Sequence, residues 1–159
     1  MLRHPMAKSS LEEMKEGTEF KPLLSFFNQD LNKKKNLIFC SGKVHYDITE
    51  FLEKNKEIKE KCALFAIEEL FPFPETLITQ TLNGVDKDAQ AIWVQDEPLN
   101  SGGFLFAVPR LFRVLKNVGL KNGIKYCGRR ALACPAIGYS DGHKRENKEI
   151  MDYLMTLCK

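Results

Sequence analysis

The chain is short of clustered cysteines, of long apolar runs and of charge of one sign, and each shortage removes a class of function. Its cysteines, Cys40, Cys62, Cys127, Cys134 and Cys158, are five in number and scattered, with no C-x-x-C pair and no histidine at ligand spacing. Neither a zinc site nor a secreted disulfide framework is therefore expected, and a reducing, intracellular setting is. No apolar run approaches the roughly 18 residues of a membrane span, and the start Met1-Leu2-Arg3-His4-Pro5 lacks the apolar core of a signal peptide. Lys and Arg number 24 against 21 Asp and Glu, a formal net charge of +3. That field is too weak to name nucleic acid or a membrane surface as a partner. The lysine run Lys33 to Lys35 reads as a solvated loop. Also lacking are the long glycine loop of a nucleotide-triphosphate site, a Ser/His/Asp order and a cysteine-nucleophile motif; Cys134, beside Pro135, reads as a small buried residue.

What is present suffices for one ordinary domain, because 159 residues can bury a core without metal or disulfide staples. Ser10-Leu11-Glu12-Glu13 has capping-box spacing, so a short helix is expected there, stopping near Gly17. From Asn36 onward a short apolar run, a turn rich in Gly, Ser or Pro and a stretch with helical spacing repeat. The strands are Leu37 to Cys40, Cys62 to Ile67, Ala91 to Val94 and Gly123 to Cys127. The first three are apolar throughout, as expected of strands covered on both faces. Helical stripes follow: Val44, Ile48, Phe51 and Leu52; Leu77, Ile78 and Leu82 after Pro74; Phe104, Val108, Leu111, Phe112 and Leu115; and Ile150, Tyr153, Leu154 and Leu157. The pattern predicts a lead-in over 1–35 and, over 36–159, a three-layer α/β/α domain with a mainly parallel sheet and one irregular or antiparallel edge strand.

In such sheets ligands gather where strands end and helices begin, here at Cys40–Lys43, Glu68–Pro74, Gln95–Gly103 and Cys127–Tyr139. Cys40-Ser41-Gly42-Lys43 can offer backbone N–H groups and a lysine to an anion, or simply be a turn. Glu68, at the end of a buried strand, can act in proton transfer or belong to a rigid Phe-Pro-Phe-Pro turn. In "WVQDEPLNSGGF", Trp93 to Phe104, the acids Asp96 and Glu97 are neighbours on an extended chain. They should project to opposite sides, which argues against a joint acid/base pair. Pro98 ends the strand, Asn100 or Ser101 can cap the next helix, and Gly102-Gly103 lets backbone approach a helix, a second subunit or a ligand. The corner Pro98, Gly102, Gly103 is expected at an interface. His45 and His4 show no partner, while His143 follows a Gly-Tyr-Ser-Asp-Gly loop at the opening of the last helix.

Taken together and in order, "LRHPMAKSSLEEMKEGTEF", "LIFCSGKVHYD", "IEELFPFP", "WVQDEPLNSGGF", "PRL" and "YCGRRALACPAIGY...H" closely resemble the C-terminal region of the thiamine-diphosphate-dependent decarboxylating component of the 2-oxoglutarate dehydrogenase complex. The resemblance implies a transketolase C-terminal-like fold and a longer polypeptide, with Met1 an interior residue. It implies that thiamine diphosphate, Mg2+ and the 2-oxo acid sit on preceding domains, since no cofactor motif of the family occurs here, and that this region has no catalytic residue and holds no metal or cofactor. It further implies a homodimer, a lipoyl-bearing succinyltransferase partner, and a regulatory site for acetyl-coenzyme A or AMP. Carried over by position, Glu68 and Arg129 are the effector-site candidates; Arg110 of "PRL" and His143 also match. Arg130 stands where proline or another residue is usual, and Ala66 where many members carry arginine; losing that strand-end cation is expected to weaken anionic effector binding. A cytoplasmic (bacterial) or mitochondrial-matrix location is implied. Two alternatives stay open: a stand-alone α/β module binding a nucleotide or a protein partner, and the same region of a 2-oxoadipate dehydrogenase, from which "HPMAKS" and "KVHYD" lean away.

Overall fold

Alternating residues of the buried strands face two different helix layers, and this parity organises the molecule. The computed structural model describes residues 4–159, so the start read for a signal-type core lies mainly outside the described residues. In chain order the strands are β1 (Leu23–Phe26), β2 (Asn36–Cys40), β3 (Cys62–Ile67), β4 (Gln90–Pro98) and β5 (Ile124–Arg129). The helices are α1 (Val44–Lys54), α2 (Lys56–Lys61), α3 (Glu75–Thr81), α4 (Phe104–Val118) and α5 (Ser140–Cys158). The sheet order is β1-β3-β2-β4-β5; β2 to β5 run parallel and β1 pairs antiparallel with β3, Leu23 opposite Ile67. The mainly parallel sheet with an antiparallel edge is thus observed. The edge strand, however, lies among the residues read as a lead-in, where a four-residue run behind Pro22 carries little pattern.

Leu37, Phe39, Phe65, Ile67, Ala91 and Trp93 face α3 and α4, meeting Ile78, Ala107, Leu111 and Val114. Their alternates Ile38, Cys40, Leu64, Ala66, Ile92 and Val94 face α1 and α5, meeting Val44, Ile48, Leu52, Ile150 and Leu154. Side chains such as Phe39, Phe65 and Trp93 are wholly enclosed, each worth roughly 1.5–3 kcal/mol of burial. The four strands and four helices expected become five of each among the described residues. Helix α2, Lys-Glu-Ile-Lys-Glu-Lys, escaped notice because six mostly charged residues show no apolar stripe.

The lysine run is not simply solvated. Lys34 is buried and donates to the Glu60 carbonyl, while Lys33 and Lys35 pair with Asp30 and Asp86. Cys134 is likewise exposed, against expectation, on the loop after β5, whereas the other four cysteines are buried. Burial pushes the Cys40 thiol up, and the Cys127 thiol up to about 12, so neither is a thiolate near neutrality.

The capping box forms as read, but around a 3-10 turn, Leu11–Met14, that stops before Gly17. The Ser10 N–H donates to Glu13 Oε2 at 3.0 Å, the Glu13 N–H donates to Ser10 Oγ at 3.3 Å, and Lys21 Nζ donates to Glu13 Oε1 at 2.8 Å. The Lys21 hydrogen bond first, and those of Ser10 second, lower the Glu13 pKa from 4.5 to about 2. A depressed folded-state value means that this contribution is complete above the unfolded pKa and is lost as pH falls through the folded one. The Ser10 amide resonance should therefore titrate near pH 2, and in Lys21→Met its midpoint should move back toward 4.5; an unmoved midpoint would show that Lys21 does not hold the turn.

Candidate functional site

At the C-terminal end of the parallel strands, β4 must turn into α4, and one buried carboxamide organises the turn. Gln95 is almost fully enclosed. Its Oε1 accepts from the Trp93 indole N–H at 3.0 Å and from the Phe104 backbone N–H at 3.0 Å, and its Nε2 donates to the carbonyls of Glu97 and Pro98 at 3.2 and 3.0 Å. The cap of α4 is therefore Gln95, nine residues upstream, and neither Asn100 nor Ser101. Asn100 instead clamps the next loop, donating to the Leu132 carbonyl at 3.0 Å and accepting from the Leu132 N–H at 3.1 Å. The close approach at the glycine pair is to this same chain. A Cβ on Gly102 would lie 2.5 Å from Gln95 Nε2, and one on Gly103 3.2 Å from the Trp93 ring. The glycines make room for Gln95 and Trp93, and Pro98 is buried as the last residue of β4.

The loop after β2 leads to α1 on one face and the loop after β4 to α4 on the other, so the crevice between them is the switch point of the sheet. It is bridged. Lys43 Nζ lies 2.6 Å from Asp96 Oδ2 and 3.7 Å from Asp47 Oδ2. Burial disfavours the Lys43 charge, but the Asp96 hydrogen bond and the surrounding carboxylates outweigh it, and the ammonium is held above its ordinary range. The sheet register shifts between Val94 and Pro98, so strict alternation fails there. Partial burial raises the Glu97 carboxyl above the glutamate range; its own backbone N–H opposes the shift, and the neighbouring Asp96 carboxylate adds to it. Asp96 thus bears on Glu97 through charge, while Asp96 itself is engaged by Lys43.

The sequence candidates divide among three places. Glu68, after β3, lines a cavity of about 880 Å3 under the lead-in, with His45, Tyr46, Phe26 and Lys21. Both histidines that lack partners in the sequence gain them in the fold: His45 Nδ1 is 2.8 Å from the Gly42 carbonyl and donates to it, and His4 stacks on Tyr46 and lies 3.7 Å from Glu50. Arg129, ending β5, lines a second cavity of about 430 Å3 with Arg130, Leu132, Glu146, Glu149 and Tyr153. The Arg129 side chain is 8% exposed; Nε sits 2.7 Å from Glu146 Oε2, and Nη2 donates to His143 Nδ1 at 3.1 Å. That contact requires the neutral imidazole with its proton on Nε2. The fold therefore joins Arg129 to His143. Glu68 lies three strands away, on the order of 14 Å across the sheet. Arg110 lies on α4, donating to the Phe106 carbonyl at 2.7 Å and covering the Phe106 ring at 3.8 Å. Glu146, the partner of Arg129, was not among the sequence candidates, and Asp96 was weighed there only beside Glu97; each pairs across elements distant in the chain, which spacing does not reveal.

Residues 8–155 match the family described as 2-oxoglutarate dehydrogenase C-terminal. The chain belongs to that family. Among similar curated proteins, the 2-oxoglutarate dehydrogenase E1 component of Rickettsia felis is 37% identical over 95% of this chain and 15% of its own length. That of Azotobacter vinelandii is 32% identical over 99% of this chain and 16% of its own. The 2-oxoadipate dehydrogenase complex component E1 of Mus musculus is 34% identical over 98% of this chain and 16% of its own. The chain thus spans about one sixth of the relatives it matches.

Within this family the two departures noted in the sequence have clear surroundings. Ala66 is wholly buried on the α1 and α5 face of β3, and Arg130 is exposed beside the smaller cavity. Among the described residues no three His, Cys, Asp or Glu side chains converge to hold a metal ion, and the one lysine at the switch point is taken up by Asp96. These donors do not fit a magnesium diphosphate. No helix among the described residues is long and apolar enough to cross a membrane.

The corner makes a sharp stability prediction. Gly102→Ala forces a methyl into the buried Gln95 amide, so it should cost about 1–3 kcal/mol, about 2–4 °C of Tm for each of those kcal/mol, in a calorimetric melt. Gly138→Ala, with open space around it, should melt as the parent does. Equal melts for the two would remove Gln95 as the organiser of the turn.

Proposed function

We propose that this chain is the C-terminal assembly and regulatory region of a 2-oxoglutarate dehydrogenase (succinyl-transferring) polypeptide, an oxidoreductase of the tricarboxylic acid cycle that decarboxylates 2-oxoglutarate and passes the succinyl group to a lipoyl arm. The observation that carries this reading is the family match over residues 8–155, joined to relatives named as the E1 component that align along nearly the whole chain. In the whole polypeptide thiamine diphosphate with Mg2+ would supply the electron sink for decarboxylation. The residues here take no part in that site. They would hold the region's own shape, with the Gln95 corner setting where α4 starts, and offer surfaces to the preceding domains, to a second copy in a homodimer and to the succinyltransferase component of the complex. Pro98, Gly102 and Gly103 enter the dimer interface indirectly, by fixing that corner. The location would be bacterial cytoplasm or mitochondrial matrix.

The regulatory part of the proposal centres on acetyl-coenzyme A or AMP. Arg129 and His143 lie together and Glu68 and Arg110 apart, so the four candidates do not form one pocket. Glu146 neutralises Arg129 and Ala66 brings no cation, which supports weak anion binding at best. The resemblance to the Mus musculus protein favours one second reading, in which the substrate is 2-oxoadipate.

The native polypeptide carrying this sequence, captured with an antibody to it, should release carbon dioxide from 2-oxoglutarate faster than from 2-oxoadipate, and only with thiamine diphosphate and Mg2+ present. The reverse substrate order would favour the second reading, and no release from either would remove the function. In calorimetric titration of AMP or acetyl-coenzyme A into that polypeptide, Arg129→Ala should weaken any binding by about tenfold, the scale of one lost charge-assisted contact. Unchanged binding would take Arg129 out of the site.

A further inference from the structure

Helix α4 is apolar on both sides. Ala107, Leu111, Val114 and Leu115 face the sheet, as the spacing of that stretch predicts. On the outside, Leu105, Pro109 and Phe112 follow one another at steps of four and three, with Leu105 64% and Phe112 49% exposed. Spacing alone assigns Phe112 to the inner stripe, but the structure places it outside. Leu77 of the adjoining α3, also read as inward, is 37% exposed, and α3 is tied to α4 by the Glu75–Arg113 ion pair. A helix that carries an exposed apolar ridge besides its buried stripe is made to be covered.

The charges around the ridge say by what. Helix α4, Phe-Leu-Phe-Ala-Val-Pro-Arg-Leu-Phe-Arg-Val-Leu-Lys-Asn-Val, carries Arg110, Arg113 and Lys116 and no acid. Arg113 is neutralised by Glu75, but neither Arg110 nor Lys116 has a carboxylate at ion-pair distance among the described residues. Arg110 uses one donor on the Phe106 carbonyl and sits over the Phe106 ring, which leaves the rest of its fork open. A second copy of this helix would bring the same cations to its own rim, with no acid on α4 to meet them. A complementary occupant has apolar side chains at its centre and carboxylates at its edge.

We propose that the outer ridge of α4, Leu105, Pro109 and Phe112 with Arg110 and Lys116 beside it, is a docking surface for an acid-rimmed apolar protein surface. Its source is the polypeptide that precedes this region in the longer relatives, of which this chain covers only 15–16%. The naming of that source rests on the function proposed above; the chemistry of the surface does not.

The test uses two synthetic helical peptides with the same leucine face, one flanked by glutamates and the other by lysines, followed by fluorescence anisotropy with the 159-residue chain. The glutamate peptide should bind at least about tenfold more tightly, a difference set by the rim charges. Leu105→Ser and Phe112→Ser should each weaken it, and Arg110→Glu should reverse the order of the two peptides, all with unchanged circular dichroism. Leu11→Ser, an exposed apolar residue of the lead-in, should change nothing. Equal affinity for both peptides, or binding indifferent to the ridge variants, would overturn the proposal. So would sedimentation showing a dimer of this chain that Phe112→Ser dissolves, because the occupant would then be a second copy. If the peptides discriminate as expected while the native polypeptide shows no 2-oxo acid activity, the surface stands and the function reading falls.

Discussion

A parallel strand ending inside a protein leaves its last carbonyls, and the first N–H groups of the helix that follows, without partners, and in this chain the Gln95 carboxamide meets both needs. It takes two donors on its oxygen, the Trp93 indole and the Phe104 amide, and gives two to the carbonyls of Glu97 and Pro98. Each such group left unpaired in the interior would cost about 1–3 kcal/mol. The requirement propagates outward. A side chain on Gly102 would displace the carboxamide, which occupies the space of its Cβ, and the direction in which α4 leaves the sheet follows from where Phe104 is held. The corner then supports its neighbours: the Leu99 N–H donates to the Arg129 carbonyl at 3.1 Å and Asn100 holds Leu132, so the loops after β4 and β5 are tied together.

Charge is arranged along this edge in closed pairs. Lys43 and Asp96 bridge the switch point, and Arg129 and Glu146 bridge β5 to α5. The Arg129–Glu146 contact lacks good hydrogen-bond alignment, and the Asn147 Oδ1 one residue on is buried without a partner. An arginine that is 8% exposed and bound to a glutamate holds structure first, because removing either partner strands the other charge where water is scarce.

The two helix layers have different outer faces. Along α1 and α5 charged side chains predominate, whereas α4 presents Leu105, Pro109 and Phe112. Apolar spacing alone reports that a helix is amphipathic or doubly apolar, and here the second stripe is offset enough from the first that Phe112 satisfies the inner pattern on paper while standing outside in space.

Much of the fold could be read from residues. The buried runs of β2, β3 and β4, the glycine-bearing turns after them and the three- and four-residue steps of α1, α4 and α5 are local, and local pattern determined the class, the strand direction and the positions of the loop edge. The family resemblance was equally legible, because its motifs are contiguous strings. What only the tertiary structure decided was pairing at a distance. The antiparallel edge strand β1 is stabilised by β3 and not by its own four residues. Lys34, Cys134 and Phe112 took burial or exposure from neighbours far along the chain. Gln95 gains its role from Trp93 and Phe104 only once the strand bulges, and Arg129 is joined to His143 and parted from Glu68 by the width of the sheet. A sequence records which groups can bond; the distance between them is set by the packed whole.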